Sequence, residues 1–346
     1  MSYILPSNTK SGIILYLDSR DATSYLATSL SIDKDGNSIS IPLTSYFQYV
    51  LTENVEIPLN QRALVSLESA TIPYSFYNVR TDVNDTLIFL ITDIAGDVDT
   101  GITTITLLNG NYTAYSLADA IQTQINLKSN VDSNLKYTFQ MDYDSDKNKF
   151  IFSITTNEMV GANNGNNLRV DLFFEDSIKS CNVEMGFRPL NHVFYSNSAE
   201  VIRTSQNVID INGSIHGVYI RSNLVSKGTL DSQNGTLSNI LARLPINVQS
   251  GGIIFGESNN HRSVVDLRYI NTITIRLTDE RNRILDLNGL HFQLAIQIDF
   301  IHAKKPVSIP MGALSDNPEL SFHNEEKLQA TKLRQSKINI SNKSKK

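Results

Sequence analysis

The residues of this 346-residue chain best placed to do chemistry gather between Asn271 and Phe300. Asp279, Glu280, Asp286 and Asp299 share that stretch with Arg276, Arg281, Arg283 and His291. Carboxylates beside a histidine are the raw material of general acid–base catalysis. What holds them is legible from the flanking pattern. Ile273, Ile275 and Leu277 alternate with Thr272, Thr274 and Arg276. Further on, Phe292, Leu294, Ile296, Ile298 and Phe300 alternate with Gln293, Ala295, Gln297 and Asp299. A period of two turns one set toward a core and the other outward. Turn-forming Asp279–Asn282 and Asn288–Gly289 lie between the two runs. The pattern predicts a hairpin of two long antiparallel strands, with Phe292, Leu294, Ile296 and Phe300 on the core face. Asp279, Glu280, Arg281 and Arg283 then sit on a solvated loop tip, where charge usually goes.

The other candidates carry less. Asp142, Asp144, Asp146 and Asn148 in "DYDSDKNK" resemble the opening of a calcium loop. An EF-hand needs glycine at its sixth position and a bidentate glutamate at its twelfth. Those positions hold Lys147 and Ser153, and strand patterns flank the stretch, so a hairpin turn is expected. Six histidines (His192, His216, His261, His291, His302 and His323) show no HExxH spacing. Cys181 is the single cysteine, which excludes an intrachain disulfide and a Cys-based zinc site. It reads as an inert thiol. No GxSxG, P-loop or GxGxxG occurs, and the glycines of "NGSIHG" and "SGGIIFG" read as turns. No catalytic, cofactor-binding or metal-ligating residue is expected, and no cofactor.

Charge is unevenly placed. Glu325–Lys346 holds seven Lys/Arg and two Glu, a local charge of +5, so the remaining 324 residues carry −10 of the total −5. An acidic body speaks against general nucleic-acid binding. The basic tail carries Lys332, Arg334, Lys337, Lys343, Lys345 and Lys346, candidate contacts to an anionic partner. "MSYILPSNTK" lacks the basic region and apolar core of a signal peptide. No run reaches the roughly 20 apolar residues a spanning helix needs. A soluble, non-secreted protein is expected.

Along the chain, strand patterns dominate from Tyr46 onward, punctuated by Gly, Asn, Asp and Ser. One clear helix is expected where Leu117, Ala120, Ile121 and Ile125 recur at three and four, with Thr113 or Ser116 as its cap. "TLSNILARLP" is a candidate second helix, ended by Pro245. Many strands with few helices predict an antiparallel sandwich.

"ALVSLESATIPYSFYNV" (63–79), "LLNGNYTAYSLADAIQTQIN" (107–126), "NVIDINGSIHGVYIRSNLVSKG" (207–228) and "LTDERNRILDLNGLHFQLAIQIDF" (277–300), in that order, resemble segments of one family. It comprises penton and minor capsid proteins of large icosahedral DNA viruses (the nucleocytoplasmic large DNA viruses) and of their virophage and polinton-like relatives. The resemblance covers about residues 60–303 and leaves out residues 1–45 and the tail. It implies an all-β, antiparallel single jelly-roll sandwich with an inserted subdomain containing a helix, and extended terminal arms. The expected boundaries are an N-terminal arm at 1–45, a jelly-roll domain at 46–303 with an insertion at about 95–200, and a flexible basic tail at 304–346. The implied function is that of a structural capsid subunit, the penton protein, forming a homopentamer at five-fold vertices. The implied partners are further copies of itself, the major capsid protein and other minor capsid proteins. An internal membrane or packaged DNA would meet the tail, and no small-molecule substrate is expected. The implied location is the capsid vertex of the virion, after assembly in the host cytoplasm. Asp279, Glu280 and the other loop tips would form subunit contacts or the outer rim.

Two other classes share the sandwich: another minor capsid or cement protein, and a receptor- or glycan-binding spike. The absence of Trp speaks against a sugar-stacking platform, although Tyr can replace it. A sandwich-fold glycosidase or cupin would need a paired carboxylate cleft or clustered His and Glu.

Overall fold

The computed structural model describes residues 12–32, 37–59, 61–94, 98–131, 137–156, 168–198, 200–212, 215–225, 229–231, 236–257 and 261–302. Everything below concerns these residues. The tail from 303 onward, with all of its candidate contacts, lies outside them.

The chain opens with β1 (Gly12–Asp18), then β2 (Tyr46–Glu56) and β3 (Gln61–Pro73). An excursion follows, made of β4 (Thr86–Asp93), β5 (Thr103–Thr106), helix α1 (Ala114–Val131), β6 (Tyr137–Asp144), β7 (Lys149–Thr156), β8 (Leu168–Phe173), β9 (Asn191–Ser196) and β10 (Glu200–Thr204). The chain returns with β11 (Gly217–Ser222), β12 (Ile240–Pro245), β13 (Ile253–Glu257), β14 (Ser263–Val265), β15 (Tyr269–Thr278) and β16 (Gln293–His302).

The pairing outside the excursion is nested. β1 pairs with β16, β2 with β15, β3 with β13 and β14, and β11 with β12, all antiparallel. First meets last, second meets second-to-last, and so inward, as in one long hairpin of eight strand positions, one of them shared by β13 and β14. Rolled up, that hairpin gives two sheets, β1-β16-β3-β13 and β12-β11-β15-β2. This is the strand order of a jelly roll, two sheets of four that pack face to face. The fold is therefore an all-β antiparallel jelly roll, and β4–β10 with α1 are the inserted subdomain.

The sandwich core follows from strand periodicity. Val65, Leu67, Ile273, Ile275, Leu294 and Ile296 are each at most 3% exposed. Phe47 of one sheet meets Phe292, at the entry to β16 in the other, with ring centroids 5.6 Å apart. Each such side chain contributes on the order of 2 kcal/mol through burial. The insertion has its own core around Phe89, Ile91, Leu117, Ile121, Phe139, Phe152 and Val170. Leu117, Ala118, Ile121 and Ile125 form the buried stripe of α1. Thr113 caps it in a reciprocal box: Ser116 N–H donates to Thr113 Oγ1 (3.2 Å), and Thr113 N–H to Ser116 Oγ (2.9 Å). The helix also closes the outer edge of β6. Asn126 exchanges two 2.8 Å bonds with the Phe139 backbone, and Gln122 Oε1 accepts from Met141 N–H.

Several expectations need correction. β15 and β16 do not form a hairpin: they belong to opposite sheets, and the loop between them crosses the end of the sandwich. The strand within the expected N-terminal arm is an integral edge of the sandwich, in register from Gly12↔Asp299 to Asp18↔Gln293. The strands of the excursion, from Thr86 to Thr204, pair only among themselves. "TLSNILARLP" is extended, as strand Thr236–Ser238 and then β12. Its Leu and Ile spacing suits a helix, but the ladder with β11 and burial of Leu241, Ala242 and Leu244 prevail.

Candidate functional site

Of the charged stretch expected at a solvated tip, Arg281 is exposed, but Asp279 is buried and Glu280 and Arg283 are half-buried. β15 ends at Thr278 and the chain turns at once, with Asp279 N–H donating to Arg283 O (2.9 Å). Asn282 takes a left-handed φ of 61° in this turn, a conformation asparagine tolerates well. Asp279 is 1% exposed. Its Oδ1 accepts the N–H groups of Arg281 and Arg283, both at 2.9 Å, and its Oδ2 accepts Arg283 Nε at 2.7 Å. Both terminal nitrogens of Arg80 approach the same oxygen at 3.4 Å. A carboxylate is tolerable inside a protein only when supplied with donors in this way. Arg80 lies near the start of the insertion, so one ion-pair network ties the insertion to the jelly roll. Burial, and then repulsion from Arg283, pull Arg80 below its usual value, while Asp279 opposes both.

The same loop grips the far end of the insertion. Glu280 Oε1 accepts the His216 N–H at 2.7 Å, and His216 Nε2 lies 3.1 Å from Asp210 Oδ2. Leu285 and Leu287 are fully buried and plug the sandwich end. Their carbonyls accept from Ser45 Oγ and from Ser75 Oγ (2.7 Å). Asn288 and Gly289, both at positive φ (51° and 78°), then reverse the chain toward β16.

Behind Arg80 stands a second buried carboxyl. Asn84 Oδ1 accepts Arg80 N–H (2.8 Å), and Asn84 Nδ2 donates to Asn78 O (2.8 Å) and to Glu184 Oε1 (2.6 Å). Burial pushes the Glu184 carboxyl up to about 7, with the Asn84 hydrogen bond working against it. Cys181, one turn away, is also buried. Its thiol is raised far out of the reactive range by burial, and its Sγ lies 3.5 Å from Met185 Sδ. A cleft of about 600 Å³ opens beside Glu184, lined by the insertion segment around Phe174–Pro189 and by Arg281 and Arg283 of the loop. The arrangement is a clasp with a cleft at its side.

The remaining candidates are dispersed. Asp142–Asn148 spans the end of β6, a turn and the start of the β7 pairing, with Asp144 bound to Lys147 Nζ at 2.8 Å. His192 packs among Phe174, Phe187 and Phe194, His291 faces Ser19 Oγ at 3.0 Å, and His261 lies near Ser263 Oγ. His323 lies outside the described residues. Sequence reading missed Arg80, Asn84 and Glu184, because their partners lie far away along the chain. One signal was present: Leu285 and Leu287 in a short polar loop cannot both remain in water.

No protein-family model matches this sequence, and no curated protein does. Among solved structures, the crystal structure of the mavirus penton protein is similar, with 15% identity and a TM-score of 0.47 over 84% of this chain and 100% of that one.

Proposed function

We propose that this chain is a structural capsid subunit, the penton protein that forms a homopentamer at the five-fold vertices of an icosahedral virion. The observation that carries the reading is the nested eight-strand pairing, joined to the four family-like segments, three of which reach its strands while 107–126 leads into α1 of the insertion. Residues 63–79 hold most of β3 and the chain entering the insertion. Residues 277–300 hold the clasp loop and most of β16. The mechanism is geometric. Wedge-shaped copies bury unlike side faces in a head-to-tail ring that closes by rotation. Further copies of itself, the major capsid protein and other minor capsid proteins are the partners. In the same reading the tail residues Lys332, Arg334, Lys337, Lys343, Lys345 and Lys346 reach packaged DNA or an internal membrane, in a subunit assembled in the host cytoplasm.

Native mass spectrometry of the purified full chain, together with immunogold labelling of particles, tests the reading. A pentamer and vertex label are expected. A stable monomer or trimer with label spread over the facets would replace it with another minor capsid position. A monomer that binds a glycan array would replace it with a receptor-binding spike.

A further inference from the structure

The cleft beside the clasp has features that nothing among the described residues uses. Its floor is apolar, with Phe174 and Phe187 stacked at 5.3 Å between centroids. Ile178 stands at its edge 97% exposed, an unusual position for a large aliphatic side chain next to an apolar floor. Arg188 and Arg281 line the mouth and are exposed. Among the described residues neither has a carboxylate within ion-pairing distance.

Each feature asks for something from outside. Two guanidinium groups, on a body that is otherwise acidic, call for negative charge on the incoming group, and planar carboxylates suit their geometry. The floor and Ile178 call for an aromatic or aliphatic side chain beside that charge. We propose that the cleft is a docking site for an extended segment of another protein in which an acidic residue stands next to a large apolar one. The carboxylate pairs with Arg188 and Arg281, and the apolar side chain lies on the floor formed by Phe174 and Phe187. A basic segment would have to pass both guanidinium groups. A nucleic-acid strand would meet the acidic body on leaving the cleft. The proposal does not depend on the capsid reading.

Panning a random dodecapeptide phage library against the full chain tests it. The expected result is enrichment of peptides that join Asp or Glu to Phe, Leu or Ile. A fluorescein-labelled synthetic copy of the most enriched peptide should lose about tenfold or more in affinity for Arg188→Glu combined with Arg281→Glu. Ile178→Asp should weaken it as well. All three positions are exposed, so unchanged melting of the variants confirms that their folds survive. No enrichment, enrichment of Lys- or Arg-rich peptides, or equal affinity for variants and wild type would each overturn the proposal.

Discussion

Phe292 and Gln293 are neighbours with opposite environments, one 1% exposed in the sandwich core and the other exposed beside Asp18. Phe292→Ala removes a ring packed on Phe47 and leaves a cavity, an expected loss of about 3–5 kcal/mol in urea unfolding. Gln293→Ala removes one exposed hydrogen bond and should change stability by about 0.5 kcal/mol or less. Comparable losses at the two positions would refute the register. Glu184 gives a different residue-scale test. Its folded carboxyl is raised to about 7 against an ordinary 4.5. A raised carboxyl favours folding fully below the ordinary value, and that contribution fades as pH climbs from about 4.5 to about 7. Glu184→Gln, which keeps an acceptor for Asn84 and never ionises, should therefore gain on wild type between pH 5 and pH 8. The expected gain is on the order of 3 kcal/mol; a difference independent of pH would refute it. The core side of this picture was legible because alternation reports burial directly. The clasp was not: Asp279 takes its closest donors from Arg281 and Arg283 in its own turn, but Arg80, which joins the network, stands 199 positions earlier, and local pattern only says that charge prefers water.

At the scale of elements, periodicity identified β15, the β16 run and α1, since each buries one face with its own repeat. It could not say which strands pair. Ile273 and Ile296 look alike in sequence yet lie in facing sheets, because burial on one face is the same whichever neighbour supplies the hydrogen bonds. The 240–245 strand misled for a related reason: Leu241 and Leu244 satisfy a helical stripe, and only the ladder with β11 makes them extended. The β6–β7 connection is the clearest element-level forecast. Asp144 Oδ1 accepts the N–H groups of Asp146 and Lys147 (3.1 and 3.2 Å), and Asp144 Oδ2 takes Lys147 Nζ at 2.8 Å. The lysine ammonium already stands where a cation would have to enter, and Asn148 closes the turn at φ 52°. Millimolar calcium followed by EDTA should leave the melting temperature of the protein unchanged in differential scanning fluorimetry. A calcium-dependent rise of several degrees would mean that the aspartates form an ion site after all.

For the whole molecule, the nested pairing makes the two ends of the sandwich interdependent. β1 and β16 are adjacent in space although nearly the full length of the fold separates them in sequence. Removing either strand would open the sheet. The cores formed by the described residues run from Leu17 to Ile298. Charge, by contrast, is concentrated after Asn324, where +5 sits opposite a −10 body. Such a segment suits an anionic surface. Each basic residue near an anionic membrane contributes on the order of 1 kcal/mol, an effect that decays over a Debye length of about 8 Å at physiological salt. Truncation after Asn324 should therefore leave the melting temperature and the oligomeric state of the purified protein unchanged. It should also reduce the amount of protein recovered in particles, and the wild-type level of recovery should fall as assembly is carried out at higher salt. If the truncated chain unfolds, the segment belongs to the fold and the core boundary at Ile298 is misplaced. If it incorporates as well as the full chain at every salt concentration, the seven basic residues play no part in the proposed assembly.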